Sequence, residues 1–269
     1  MLKAYEGIGV PAEVLEYLSH YPEKDHFDIL TDIVYREVPV SMEQFVLDDA
    51  YLGLNRSIFP NLVPLLTYLD QFSLQEIYML IGRGGGKSTV SAILMARGTY
   101  RLMCYRDARA FLGSIPNKEI VCLNVSVSET QAKKGVFTTL TAILQNSPWF
   151  SGRYDAQTLR ISFDGGFEVL CGHSKATTWL GMDIFVGVLD EANFLVDRSD
   201  RSNADELWDA IQDSGQTRFP HHYKIISISS SLEDKDFMTR KIEPIKEARA
   251  SRIVIPGLEH LLSYRKRSA

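Results

Sequence analysis

Apolar residues recur at helical spacing through the first quarter of the chain and at the shorter period of buried strands after it. Segments 11–18, 27–35, 42–51 and 60–72 each carry apolar side chains three and four residues apart, the spacing of one helix face. Two of them open on a proline, Pro11 and Pro60, whose fixed φ and missing N–H suit a first helical turn. Residues 1–72 therefore predict a helical region that leans on the rest of the chain. From about residue 76 the pattern changes. Continuous apolar runs at 76–81, 119–125, 184–190 and 223–230 predict strands buried on both faces. Helical patterns at 87–104, 127–146, 203–213 and 234–250 lie between them, and 159–163 and 167–171 flank Asp164-Gly165-Gly166 as a hairpin. Alternation of this kind predicts an α/β fold over 73–269, a mainly parallel sheet with helices on both faces.

Composition narrows the class. A chain of 269 residues, 45% hydrophobic and 23% charged, can bury a full core. No apolar run approaches the length of a membrane span, and the N-terminus lacks the basic and apolar regions of a secretory signal, so a soluble intracellular protein is expected. Cys104, Cys122 and Cys171 show no metal-ligand spacing and sit in apolar surroundings, which reads as reduced core cysteines. A net charge of −5 is unlike a protein that coats nucleic acid. Contact with DNA would then come from a local patch or from an assembled partner.

The chemistry concentrates in two stretches. Ile81-Gly82-Arg83-Gly84-Gly85-Gly86-Lys87-Ser88 lies between the first strand run and the helical pattern that continues from Thr89. Strand, glycine-rich turn and helix is the context in which backbone N–H groups wrap a triphosphate. In a Walker A loop of this kind, Gly82 to Thr89 cradle the nucleotide, Lys87 places a cation on the β and γ oxygens, and the Ser88 hydroxyl completes a Mg²⁺ shell. Ile81 stands where the consensus has its first glycine, so the tight turn is expected at Gly82. The second stretch, 184–191, is an apolar run ending in Asp190 and Glu191. At the carboxyl end of a buried strand this pair reads as Walker B. Asp190 holds the Mg²⁺ shell, and Glu191, pointing the other way by the strand period, orients and deprotonates the attacking water. Glu191 favours hydrolysis over phosphate transfer to a small acceptor. A nucleoside triphosphate and Mg²⁺ are the expected ligands; the motifs do not settle ATP against GTP. A third feature is the strand run ending in Ser229-Ser230-Ser231. In the additional-strand (ASCE, RecA-like) class of P-loop NTPases a polar residue there senses the γ-phosphate, and the alternative is an ordinary polar strand end.

Taken with Ser126-Val127-Ser128-Glu129-Thr130-Gln131-Ala132-Lys133, Phe137, Ser147-Pro148-Trp149-Phe150 and Thr217-Arg218-Phe219, these motifs resemble the large terminase subunit of tailed bacteriophages. The resemblance covers roughly 60–262. It favours ATP over GTP and implies a Mg²⁺-dependent ATPase motor that drives double-stranded DNA into a procapsid. The partners it implies are the portal, the small terminase subunit and further copies of the chain in a ring, in the cytoplasm of a host cell. It also implies Arg83 as the basic residue of the loop, acting beside Lys87 and Glu191, and Ser229, Ser230 and Ser231 as the coupling motif. Two departures stand out. Large terminases usually carry an RNase H-like nuclease after the ATPase, whereas about 40 residues follow the coupling strand here, so no nuclease is assigned to these residues. Where some members have Arg-Gly before Walker B as an arginine finger, this chain has Leu180-Gly181.

Arg198, Arg201 and Arg218 are the remaining finger candidates, set against the commoner fate of a loop arginine as a solvated charge. For the base, an aromatic and an amide upstream of the loop point to Phe59 and Asn61, with Gln71 and Gln75 as rivals; the alternative is that Phe59 staples a helix start. Lys133-Lys134 and Tyr264-Arg265-Lys266-Arg267 are the short basic clusters available for a phosphate backbone without base readout. A helicase-like remodelling ATPase and a nucleotide-gated assembly switch share the Walker motifs and stay as alternatives.

Overall fold

The structure, a computed structural model, describes residues 5, 10, 12–72, 74–82, 84–173, 179, 181–195, 203–230, 236–248 and 253–255. Its helices are α1 (Ala12–Leu18), α2 (His26–Ile29), α3 (Met42–Leu47), α4 (Leu62–Leu69), α5 (Lys87–Cys104), α6 (Ala108–Leu112), α7 (Glu129–Ala132), α8 (Thr138–Gln145), α9 (Ala204–Arg218) and α10 (Phe237–Ala248). The strands are β1 (Glu76–Leu80), β2 (Ile120–Ser126), β3 (Tyr154–Ala156), β4 (Arg160–Phe163), β5 (Phe167–His173), β6 (Asp183–Asp190), β7 (Lys224–Ser229) and β8 (Ile253–Ile255). They form one eight-stranded sheet in the order β3-β4-β5-β2-β6-β7-β1-β8. Strands from β5 across to β8 run parallel, and β3 and β4 add an antiparallel edge. β2, β6 and β7 are buried along their whole length, as continuous apolar runs covered by helices require.

The sheet order sets the site. β1, which leads into the glycine loop, lies beside β7, and β7 lies beside β6 with its terminal acids. Because the three strands are parallel, their carboxyl ends emerge on one side, where open α/β sheets bind ligands. Helix α5 runs back across the sheet and is buried from Val90 to Cys104, all round its circumference. Val14, Leu18, Phe45, Leu66 and Leu69 of the N-terminal helices enter the same hydrophobic core as β1, β2, β6 and β7.

Some elements depart from the periodicity. The stretch 127–146 is not one helix: α7 passes through a π turn, Lys133–Phe137, into α8, and Gly135 breaks the helix with φ −87° and ψ −110°. A π turn likewise extends α2 over Leu30–Val34. Helix α4 begins at Leu62 with Asn61 as N-cap, so Pro60 lies before the helix. Helix α9 continues through Gly215 to Arg218, because that glycine is the point of close approach to Tyr223. Strands β3 and β8 are three residues each, too short to show a period.

Gly187 of β6 shows how tightly the acidic strand is held. A Cβ there would come 2.5 Å from Ile211 Cγ2 of α9. Gly187→Ala is therefore expected to destabilise the fold by about 1–3 kcal/mol, read as a lower urea midpoint with an unchanged slope.

Candidate active site

The glycine loop begins where β1 is pinned to its neighbour: the Ile81 N–H donates to the Ser229 carbonyl at 3.1 Å. The Gly85 N–H donates to the Gly82 carbonyl at 3.1 Å, closing a tight turn, and the Val90 N–H to Gly86 at 2.9 Å starts α5. Gly84 (φ 78°) and Gly86 (φ 83°) take left-handed conformations, and Gly82 accepts the hydrogen bond that closes the turn. Ile81 fits in place of a first glycine because it is buried, and a Cβ on Gly85 would come 2.2 Å from its Cγ2. The apolar side chain occupies the space that the loop leaves beside Gly85.

Across from the loop, β6 delivers Asp190 into a buried position against Gly135 of the π turn, whose Cβ would come 2.8 Å from Asp190 Oδ2. The strand ends there. Glu191 adopts a left-handed conformation, φ 54° and ψ 48°, which is costly for a residue with a Cβ and marks a backbone held by its surroundings. Its direction is set by that turn and not by the strand period. One carboxylate oxygen, Oε1, accepts from Lys87 Nζ in a part-buried ion pair, and Oε2 accepts from Ser230 Oγ at 3.1 Å. Lysine, acid and serine from three distant segments thus form one chain of contacts. Asn193 anchors the turn after Glu191: its Nδ2 donates to Asp236 Oδ2 at 2.6 Å and its Oδ1 accepts from the Met238 N–H at 2.9 Å, at the start of α10.

Burial pushes the Asp190 carboxyl up to about 6, and the neighbouring Glu191 charge pushes the same way, with Lys87 opposing. An acid in this position holds a divalent cation well, because a bound cation supplies the missing counter-charge. Among the described residues no group of three His, Cys, Asp or Glu side chains could hold a metal alone. Mg²⁺ fits such a site, since it commonly takes one or two protein oxygens and completes its shell with phosphates and water; here the oxygens would be Ser88 and Asp190.

The other residues singled out in the sequence separate in space. Ser229 is fully buried at the end of β7, and Ser230 is the member that reaches Glu191. Arg218 pairs with Asp183 at 3.3 Å, at the amino end of β6 and roughly 23 Å along the strand from Asp190, so it does not serve this chain's own site. Gln71 and Gln75 also lie at that far end. The Gln71 carbonyl accepts from Lys224, and Gln75 Nε2 donates to the Pro220 carbonyl at 2.6 Å. Phe59 packs on the core, while Leu62, just after Asn61, touches the loop, its Cδ1 lying 3.3 Å from where a Gly86 Cβ would be. Lys133 and Lys134 are exposed on the π turn beside Asp190. Cys104, Cys122 and Cys171 are free and buried. Arg83, Leu180, Arg198, Arg201, Ser231 and residues 264–267 lie outside the described residues.

Beside Thr89 opens a mainly apolar cavity of about 280 Å³, walled by Leu54, Ser57 and Ile58 on one side and by Thr139, Ala142, Ile143 and Asn146 on the other. The α8 wall of this cavity was not legible in the sequence, because nothing local in 139–146 signals it. Gly135 and Asn193 were missed for the same reason, since each acts through a contact distant in sequence.

The raised Asp190 carboxyl has a definite sign. Between its ordinary value, near 4, and about 6 the folded state binds the extra proton, so stability falls as pH rises through that window. Asp190→Asn is expected to gain stability over the wild type above pH 6 and little at pH 4, in urea unfolding at the two pH values.

No curated protein matches the chain. The HK97 bacteriophage large terminase superposes with a TM-score of 0.55 at 15% identity, over 79% of this chain and 42% of that one. The large terminase of a thermophilic bacteriophage (TM-score 0.44, 13% identity, 80% of this chain and 45% of that one) and the large terminase ATPase domain of a Thermus phage (0.42, 17%, 62% and 65%) are also similar. The chain thus spans less than half the length of the HK97 protein, with which it shares a fold. The family model described as the uncharacterized protein MJ0330, N-terminal P-loop domain, matches residues 18–253, and the chain belongs to that P-loop family.

Proposed function

We propose that this protein is the ATPase motor of a viral DNA-packaging machine, hydrolysing ATP to move double-stranded DNA into a procapsid. The observation that carries the reading is the contact chain Lys87–Glu191–Ser230, which ties the phosphate loop to the acidic strand end and to the strand that would couple chemistry to movement. The fold shared with the HK97 large terminase supports the packaging context.

Lys87 and the amides of Gly84 to Ser88 bind the β- and γ-phosphates, with Thr89 alongside the α-phosphate. Ser88 and Asp190 would hold Mg²⁺, which when bound would supply positive charge to the transferring phosphoryl group. Glu191 and the phosphates compete for Lys87. Binding of the polyanion draws Lys87 away and frees the Glu191 carboxylate to orient water and take its proton. Ser230 follows Glu191, so the β7 end feels the exchange. The base enters the cavity beside Thr89, between Ile58 and Ile143, a few residues upstream of Phe59 and Asn61. The helical region 1–72 supplies one wall of that cavity, and 73–269 forms the ATPase core. Arg83 completes the phosphate contacts in cis, and Arg198 or Arg201 serves a neighbouring copy in a ring. Exposed Lys133 and Lys134 meet the DNA phosphate backbone. The portal and small terminase subunit are the assembly partners, in the host cytoplasm.

Glu191→Gln is expected to lower ATP turnover by about 10²–10⁴-fold while Mg²⁺·ATP binding persists or tightens, in steady-state hydrolysis beside equilibrium binding. Stimulation of turnover by procapsids, and not by single-stranded DNA alone, separates packaging from helicase-like work. No turnover in any assembled state makes the protein a nucleotide switch instead. Ile143→Trp is expected to fill the cavity and raise the KM for ATP about tenfold or more, with tripolyphosphate inhibition unchanged.

A further inference from the structure

At the opposite end of the sheet, α5 brings two arginines into the core. Arg97 and Arg101 are 1% and 5% exposed, and both pair with the same oxygen of Asp70, at 3.1 and 2.8 Å. Lys224, which opens β7, is buried beside them and gives its three N–H groups to neutral carbonyls, those of Leu69, Gln71 and Leu74, at 2.9, 3.0 and 2.6 Å. One carboxylate therefore faces two guanidinium groups and a lysine. Burial lowers the pKa of Arg101, and that of Lys224 to about 7, with Asp70 opposing in both cases.

Asp70, Arg97, Arg101, Lys224 and His222, together with apolar side chains such as Phe72, Leu94 and Phe185, line a small, partly open cavity, with about 20 Å³ open to the centre of a water-sized sphere, room for one monatomic ion or one water. Two of the guanidinium nitrogens, Arg97 Nη1 and Arg101 Nε, are buried with no hydrogen-bond partner among the described residues, and so is His222 Nδ1. The arginine groups can only donate. A water there would have Asp70 and His222 as acceptors but would bring no charge; an anion accepts from the free arginine donors and supplies negative charge beside two guanidinium groups that share one carboxylate.

We propose that this cavity is a binding site for a monatomic anion of chloride size, held by Arg97 and Arg101 at the base of α5. The ion locks the amino end of β7 against the helix that begins at Lys87. It thereby fixes, from the far side of the sheet, the two elements that present Lys87 and Ser230.

The test uses the intact chain at constant ionic strength, with sodium gluconate, whose anion is too large to enter, replaced stepwise by sodium chloride or bromide. The midpoint of thermal unfolding is expected to rise saturably by about 4 °C with either halide. Crystals grown in bromide are expected to show an anomalous peak within the cavity. Arg101→Gln, shown to be folded by circular dichroism, is expected to lose the halide increment; should that variant fail to fold, the wild-type titration and the bromide crystal decide alone. Equal midpoints in gluconate and halide, or a water without anomalous signal in the bromide crystal, overturn the proposal.

Discussion

The ion pair between Lys87 and Glu191 is the contact on which the site depends. It joins residues 104 positions apart, one at the head of a helix and one on a left-handed turn beyond a buried strand. Each partner alone would be a common surface charge. Together, at 12% and 18% side-chain exposure, they form a partly desolvated pair, in which a more highly charged ligand would compete with Glu191 for Lys87. A polyphosphate is such a ligand, and the exchange would leave the carboxylate free for water in the same step that occupies the loop.

The convergence is a property of the parallel sheet. β1, β7 and β6 are neighbours, so their carboxyl ends bring the loop, the serines and the acids within reach of one another without any long excursion of the chain. The Ile81 N–H bond to Ser229 and the Ser230 bond to Glu191 make β7 the bridge between the other two. Asn193 passes the connection on to α10 through Asp236 and the Met238 amide. A displacement of Glu191 thus has a mechanical route into the segment after β7.

The helical and strand periods located the parallel strands other than β8, and most of the longer helices, to within a few residues, because continuous apolar runs and amphipathic faces are local signals. They overran at 127–146, where Gly135 yields to the Asp190 carboxylate, and stopped short at Gly215, where the glycine serves packing against Tyr223. The glycine loop and the acid pair were also legible, since a turn that presents amides and a strand that ends in carboxylates are written in consecutive residues.

What the sequence determined by itself is the α/β class and the residue types of the phosphate loop and acid strand, because periodicity, glycine freedom and charge act over a few residues at a time. Only the tertiary structure decided that Ser230 meets Glu191, that Arg218 pairs with Asp183 at the other end of β6 from Asp190, and that α8 walls the cavity at Thr89. Those choices come from strand order and helix crossing, which pair residues far apart along the chain through buried contacts that no local pattern encodes.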